Sequence, residues 1–446
     1  MKGMNRRSFL RLSAGAFGGV ILTSCIGTTG ESGGGTPEIP NGYRFYKLKS
    51  MGESVDGGFS IDSFYGSAHV LPNGTITFDA RDGSDKGGIF QLDVDFSGYK
   101  PVIDSERTIL KKGDTLADGR VVDKVSAFDM NDSGSVAAVI SSENVKDHVG
   151  SGVYASVNNS GMIPVVVGKD AFPNYSCFSS SSFGDIDIHD NDDILVSASY
   201  TPTDGRSTSG QGLFHLPSAS LASCNLVNST GEIIPGTDHL VTSFGLIDMH
   251  DDGNYVVQGS SEAISTKGRI PSADETCDSV LISSNVNKSR ESRVVSATKA
   301  ISAEISNVGS VNYGPRVDGK GNELSIVNHD DGSESLQLNG NTILETGDRL
   351  IGRTSILNFG PGAVGEDGVI YYTMITDEEE CISLVAYNGH RHEVLLSRGD
   401  ILSDGGLPVE NIIFGTTTGH VDSYGRLSFL CEFGDGSASL VVGIPA

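Results

Sequence analysis

Short apolar runs recur along the chain, each entered through a polar turn. Three stretches align without gaps: Asp129 to Val136, Asp187 to Ile194 and Asp248 to Tyr255. Weaker copies surround Gly74, Gly321, Gly368 and Gly425, so the turn falls at positions 74, 134, 192, 253, 321, 368 and 425. The spacings are 60, 58, 61, 68, 47 and 57 residues. A short polar side chain before the turn can bond its own backbone, and Gly then takes the positive φ that other residues resist. Asp192 replaces Gly in one copy, a residue type that also visits the left-handed region. The runs that follow, such as Thr75-Ile76-Thr77-Phe78, Val136 to Ile140, Tyr255-Val256-Val257 and Ile370-Tyr371-Tyr372, are strands by composition and length.

Two further elements repeat downstream. One is an apolar pair after Gly or Ser: Ile89-Phe90, Val153-Tyr154, Leu213-Phe214, Val280-Leu281, Leu384-Val385 and Leu440-Val441, with Leu336-Gln337 as the poorest copy. The other is an apolar pair, two residues and then Gly, as in Ile109 to Asp114, Ile343 to Asp348 and Leu395 to Asp400. Ser292 to Ile305, around Val294-Val295, reads as either this element or a short helix. The chain ends at Ala446 before a seventh copy of the last element, and Leu48 to Val55 supplies it from the other end. Such permutation suits a closed ring, in which a borrowed strand removes an open edge. The expected fold is all-β: one seven-bladed β-propeller over residues 42–446, about four strands per blade, with an N-terminal strand completing the last blade.

The copy Asn131-Asp132-x-Gly134-x-Val136-Ala137, followed by Val153-Tyr154, resembles exported bacterial propeller-type tandem-repeat proteins. Their signature is N-x-x-G or L-N-D-x-G-x-V-A-F. The likeness spans nearly the whole body and is strict in one copy; the Phe after Ala is absent throughout. It implies architecture and export and no particular activity.

The first residues are an address. Asn5-Arg6-Arg7-Ser8-Phe9-Leu10-Arg11 resembles a twin-arginine export signal, and Leu22-Thr23-Ser24-Cys25 resembles a bacterial lipobox. The apolar stretch between them, Ala14 to Leu22, is shorter than the roughly 20 residues that span a bilayer. The resemblance implies a signal over residues 1–24, a lipid on Cys25 and a location at the cell envelope, periplasmic or surface-facing. Residues 25–41, rich in Gly, Ser, Thr and Pro, read as a flexible tether. Membrane contact is then expected through the lipid alone.

Composition narrows the partners. Lys and Arg number 31 against 57 Asp and Glu. Lys2, Arg6, Arg7 and Arg11 precede Cys25 and no acidic residue does, so the remainder carries −30. That excludes nucleic acid, which needs a basic footprint, and disfavours adsorption of the body to anionic lipid. A monomer is expected. Beyond Cys25 the cysteines are Cys177, Cys224, Cys277, Cys381 and Cys431, with no paired spacing. Twin-arginine substrates generally fold before export in a reducing compartment, which favours buried thiols; a Cys177–Cys224 bridge after export is the alternative.

Catalytic signatures are sparse. The chain has no HExxH, no GxSxG, no phosphate-binding loop and no Trp for an Asp box. If the strand before each turn lies innermost, a ring forms from Asp129/Asn131, Asp187/His189, Asp248/His250, Asp318 and His420/Asp422, with His69 opposite. Two adjacent D-x-H pairs, Asp187, His189, Asp248 and His250, could offer ligands to a divalent cation. Equally, these side chains could cap their own turns, as short polar residues routinely do. Acidic runs at 190–193, 251–252, 330–331 and 377–380 lack the spacing of a calcium loop and read as solvated tips. The insert from Gln258 to Cys277 is the loop best placed for partner contact. The expected function is a binding or scaffold role toward a glycan, peptide or protein. A metal-assisted hydrolase or lyase acting on a polysaccharide or lactone is the alternative.

Overall fold

The recurrent turns close in one way. In five copies the N–H of the left-handed residue donates three residues back: Gly74 to Leu71 (2.9 Å), Gly134 to Asn131 (2.9 Å), Asp192 to His189, Gly368 to Gly365 and Gly425 to Asp422 (each 2.8 Å). Their φ values run from 63° to 94°, and Asp192, at 63°, is the non-glycine among them. A type I turn ending on a left-handed residue joins antiparallel strands with little splay. The chain was analysed as a computed structural model. It describes residues 42–446 except 85–86, 144–149, 158–159, 169–176, 190, 202–209, 235–238, 250–252, 264–275, 287–292, 298–310, 318–322, 330, 351–353, 366, 378–380 and 415–420.

Among the described residues, strands assemble into seven four-stranded antiparallel sheets and one two-stranded ribbon. Sheets 1 to 6 are consecutive meanders whose first strands are Ser63–Val70, Val121–Met130, Cys177–Ile188, His239–Met249, Val311–Val317 and Ile356–Val364. Sheet 7 takes Val409–Ile413, Leu427–Phe433 and Ala438–Pro445 from the C-terminus and Tyr43–Ser50 from the N-terminus. The N-terminal strand pairs antiparallel with the last one, Tyr43 opposite Pro445 and Ser50 opposite Ser439. The arrangement is that of a β-propeller.

Alternation explains how one sheet meets two neighbours. Val136 to Ile140, the second strand of sheet 2, is buried throughout. Ala137 and Val139 pack with Phe183, Ile186 and Val196 of sheet 3. Val136, Ala138 and Ile140 pack with Ile89 and Leu110 of sheet 1. A strand covered on both faces needs a continuous apolar run, whereas the outer strands need not. Accordingly the fourth strand of sheet 1, Val102–Lys111, is largely exposed or half-buried. Mixed cores likewise join sheets 3 and 4, 5 and 6, 6 and 7, and 7 and 1, the last through Leu430, Leu440 and Val442 against Ile76, Phe78 and Phe90. Sheets 4 and 5 meet through their first strands.

The fourth repeated element is the link to the next sheet. A carboxylate three residues on accepts a backbone N–H: Lys111 to Asp114 Oδ2 (2.8 Å), Ser229 to Glu232 Oε2 (3.2 Å), Glu345 to Asp348 Oδ2 (2.9 Å) and Ser397 to Asp400 Oδ2 (2.8 Å). Ser50 donates to Glu53 Oε2 in the same way at 3.0 Å. The N-terminal strand therefore carries the fourth-strand signature of the repeat it completes.

Three sequence expectations change. The segment around Val294-Val295 is a strand, Arg293–Ala297, because it pairs with Val280–Ser283. The insert is shorter than Gln258–Cys277: strand Asn254–Ala263 runs to its near side and Thr276–Asn285 begins on its far side, since Glu262 pairs Thr276. Cys177 and Cys224 do not bridge. Cys177 opens the first strand of sheet 3 at one end, Cys224 precedes the fourth strand at the other, and two strands lie between them. With strands about 4.8 Å apart the Cα atoms exceed the roughly 7 Å reach of a disulfide. The Cys224 and Cys431 thiols are free and buried, and the half-buried Cys381 Sγ donates to Ile382 O at 3.7 Å.

Candidate functional site

Five residues before each turn glycine, or before Asp192, the sequence carries His69, Asp129, Asp187, Asp248, Arg316, Ala363 and His420. Three residues before it the sequence carries Leu71, Asn131, His189, His250, Asp318, Gly365 and Asp422. Of the proposed metal ligands, the structure buries Asp187, His189 and Asp248 on the inner strands. His250, Asp318 and His420 lie outside the described residues, as does Cys25, and nothing is placed for the Arg316 side chain.

The buried carboxylates reach across to the next sheet. Asp129 Oδ2 accepts the Ile188 N–H at 3.0 Å. Asp187 Oδ2 accepts the Met249 N–H at 3.0 Å, and Asp185 Oδ2 accepts the Ile247 N–H at 2.8 Å. His69, wholly buried in sheet 1, places Nδ1 3.3 Å from Asp129 Oδ1. These are bonds between sheets rather than within one turn, and each satisfies a first-strand donor that has no neighbour in its own ladder.

The second row combines both roles. Asn131 Oδ1 accepts the Ser135 N–H at 2.9 Å within its own turn. Its Nδ2 donates to His189 O (2.7 Å) and Asp192 Oδ1 (3.1 Å) on the next turn. His189 Nδ1 lies 2.8 Å from Asn191 Oδ1, so that edge of its imidazole serves the local turn. Asp422 caps its turn through the Tyr424 and Arg426 N–H groups, both at 2.9 Å. Arg426 then binds Asp422 Oδ2 (2.5 Å) and donates through Nη2 to Leu71 O (3.1 Å) and Pro72 O (2.7 Å). That guanidinium ties sheet 7 to sheet 1, where the ring meets itself.

Electrostatically the inner row is one unit. Burial, then the charges of Asp129 and Asp248, push Asp187 well above the ordinary carboxylate range; the Met249 N–H opposes the rise and a hydrogen bond with Asp129 adds to it. The Asp187 carboxyl thus holds its proton more tightly than a free carboxyl does, and it still accepts from Met249. Among the described residues no group of three or more His, Cys, Asp or Glu side chains has an arrangement that could hold a metal ion.

The sequence reading missed a second repeat in the same strands. Tyr65-Gly66, Phe183-Gly184, Phe244-Gly245 and Phe359-Gly360 are aromatic–Gly pairs whose Gly lies eight residues before the turn residue, and Tyr313-Gly314 and Phe414-Gly415 lie seven and ten before it. The Gly is required by close approach: a Cβ on Gly184 would collide with Ser197 Oγ, and one on Gly360 with Thr373 Oγ1. The pairing register slips nearby, between Phe183 and Ile186 and between Phe359 and Gly362, so the first strand bulges there.

Residues 51–272 match a family of unknown function, DUF7453. No curated protein matches the chain. Among solved structures, the chain is similar to a polysaccharide lyase of family PL25, an ulvan lyase bound to a GlcA–Rha3S saccharide, at 11% identity and a TM-score of 0.44, covering 88% of this chain and 95% of that one. It is similar to the polysaccharide lyase Uly1 at 11% identity and a TM-score of 0.45, covering 92% and 99%. It is also similar to a Penicillium chrysogenum α-L-arabinanase complexed with arabinobiose, at 12% identity and a TM-score of 0.36, covering 78% and 97%. At this level of likeness none of these activities transfers to the chain.

Proposed function

We propose that the protein is an exported, lipid-anchored β-propeller that binds or scaffolds a glycan, peptide or protein partner at the bacterial cell envelope. In this reading residues 1–24 are a twin-arginine lipoprotein signal, Cys25 carries the lipid, residues 25–41 are the tether, and residues 42–446 form one closed seven-bladed ring. The seven four-stranded sheets support that count. The observation that carries the binding reading is the use of the inner carboxylates. Asp129 and Asp187 each cap the backbone of the following sheet, which makes the row a girdle of the scaffold. Recognition then falls to the rims, where loops on a rigid frame can vary.

Two experiments test the proposal in cells. Metabolic labelling with an alkyne fatty acid should mark the full chain and not its Cys25→Ala variant, which should move to the soluble fraction; exchange of Arg6 and Arg7 for Lys should block export. Purified full-length protein on a glycan microarray, with cross-linking in intact cells, should then retain a defined glycan or protein. Export without lipid labelling, or no retained partner in either format, counts against it.

The second reading is the cation site at Asp187, His189, Asp248 and His250, serving a metal-assisted hydrolase or lyase. It is favoured by one observation, the electrostatic contact of Asp187 with Asp129 and Asp248. Metal analysis by mass spectrometry separates the readings. About one equivalent of divalent metal, with a melting temperature lowered by EDTA through loss of ligand linkage, would favour the site. A metal-free chain with an unmoved melt would leave the girdle.

A further inference from the structure

In an antiparallel four-stranded meander the first and third hairpins open at one end and the second at the other. The turns at 71–74, 131–134 and 422–425 therefore share one rim with the third hairpins, including residues 96–101. The start of the N-terminal strand lies on this same rim, because Tyr43 pairs Pro445 and the Ala446 N–H donates to Gly42 O at 3.0 Å. The tether thus enters the fold here, at the seam between sheets 7 and 1.

Both exposed aromatic rings among the described residues sit at that seam. Tyr99 is 75% and Tyr424 68% exposed. Their backbones are held while their rings face solvent. Tyr99 O accepts from Tyr46 Oη at 3.0 Å and from Arg44 Nη1 at 3.4 Å, and the Arg44 guanidinium lies 4.9 Å from the Tyr99 ring centre. Tyr424 projects from a turn closed by Gly425 to Asp422 at 2.8 Å, and Tyr43 Oη donates to Gly425 O at 2.8 Å. Arg426, beneath, stacks 4.3 Å from Phe96 and 5.1 Å from Tyr424. Lys100 and Val102, both exposed, continue the patch. Fixed tyrosines beside Arg and Lys have the chemistry of a membrane–water boundary, where amphipathic rings settle at headgroup level and cationic side chains reach the phosphates.

We infer that this seam is a docking surface for the lipid bilayer that holds the anchor. The inference rests on the proposed lipidation of Cys25. Between Cys25 and Gly42 lie 16 residues, and a Gly-rich chain of that length spans a root-mean-square of about 20–24 Å. An anchor that short, leaving the fold beside Tyr99 and Arg44, keeps this rim at the surface and turns the opposite rim outward. The strand ends that flank the insert at 264–275 belong to that opposite rim. The acidic body offers little attraction of its own for lipid, so the tether supplies proximity and the tyrosines supply the contact.

The chain contains no Trp, which makes the test direct. Tyr99→Trp and Tyr424→Trp are each introduced into full-length lipidated protein and reconstituted with phosphatidylcholine vesicles, with and without brominated acyl chains. Ile233→Trp, at a residue 56% exposed that bridges Leu240 at the start of the first strand of sheet 4, on the opposite rim, serves as the control. Co-flotation with vesicles, blue-shifted emission and bromine quenching at positions 99 and 424, with neither at 233, is the expected result. Co-flotation without quenching at 99 and 424 overturns the docking surface and leaves the anchor standing. Loss of co-flotation overturns the anchor and the docking surface together. Equal quenching at all three positions overturns the assigned rim.

Discussion

The carboxyl of Asp187 accepts the Met249 N–H at 3.0 Å, so a side chain on the first strand of sheet 3 caps the backbone of sheet 4, 62 residues on. Asp129 does the same for Ile188, 59 residues on. Equivalent residues of successive repeats thereby link sheet 2 to sheet 3 and sheet 3 to sheet 4. Apolar packing between sheets is tolerant of sliding; a hydrogen bond from a buried carboxyl to one particular N–H is not. These bonds fix how far sheets 2, 3 and 4 are displaced against one another.

Substitution at Asp187 separates a girdle from a ligand set. Asp187→Ala leaves the Met249 N–H buried without its acceptor, a loss of about 1–3 kcal/mol in urea unfolding. Asp187→Asn should stay near wild type, since the amide keeps an acceptor for Met249 and a donor for Asp129. A cation ligand behaves otherwise, and the Asn variant would then lose about as much as the Ala variant. Unfolding curves for the two variants decide between these roles.

The same carboxyl gives a pH dependence with a definite sign. Burial and the charges of Asp129 and Asp248 raise it well above the ordinary carboxylate value of 3.8. The folded chain holds a proton that the unfolded chain releases, so stability from this group is fullest in acid and falls as pH rises through the window above 3.8 up to the folded value. The unfolding free energy of wild type, taken relative to Asp187→Asn at each pH, should decrease from about pH 4 toward neutrality. A relative stability that climbs with pH would contradict the assignment.

Arg426 closes the ring and should be costly to remove. It is nearly buried against a fully buried Asp422 and donates to two carbonyls of sheet 1's first turn. Burial pushes the Asp422 carboxyl upward and the guanidinium opposes that shift. Arg426→Ala leaves an uncompensated acid and takes a donor from the Pro72 carbonyl, while Leu71 O keeps the Gly74 N–H, a loss of about 3–5 kcal/mol. Arg426→Lys should lie between, because an ammonium cannot serve carboxylate and carbonyls in one plane. Hydrogen exchange should report the site: amides of Ser63–Val70 and Leu427–Phe433 should lose protection before those of sheet 3.

What was legible in the sequence follows from what is local. The turn positions could be read because Gly, or Asp192, answers a backbone demand within four residues. The closing strand could be read because Glu53 repeats the local bond that Asp114 and Asp400 make. Asp129, Asp187 and Asp248 are buried, but the bonding of Asp129 and Asp187 to the backbone of the next sheet was not foreseen, since Ile188 and Met249 contribute only an N–H that no side chain marks. Arg426 went unnoticed for the same reason: its partners, the Leu71 and Pro72 carbonyls, lie over 350 residues away and carry no sequence signal. The Cys177–Cys224 pairing failed because proximity in the repeat does not disclose opposite ends of a sheet. The aromatic–Gly pairs were visible and were passed over.

Those pairs offer the last test. Gly184 sits where the first strand of sheet 3 bulges over its second, and an added Cβ would collide with Ser197 Oγ. Ser197 is buried, so its hydroxyl has little room to turn away. Gly184→Ala should therefore cost about 1–3 kcal/mol, the range for overfilling a packed interior. Ser197→Ala removes the colliding oxygen and leaves a Cβ 3.7 Å from the new methyl, an ordinary contact. The double variant should recover most of the loss, giving a coupling of about 1 kcal/mol or more in a double-mutant cycle. Additive losses would mean that Gly184 is needed for its backbone conformation rather than for the space its missing side chain leaves.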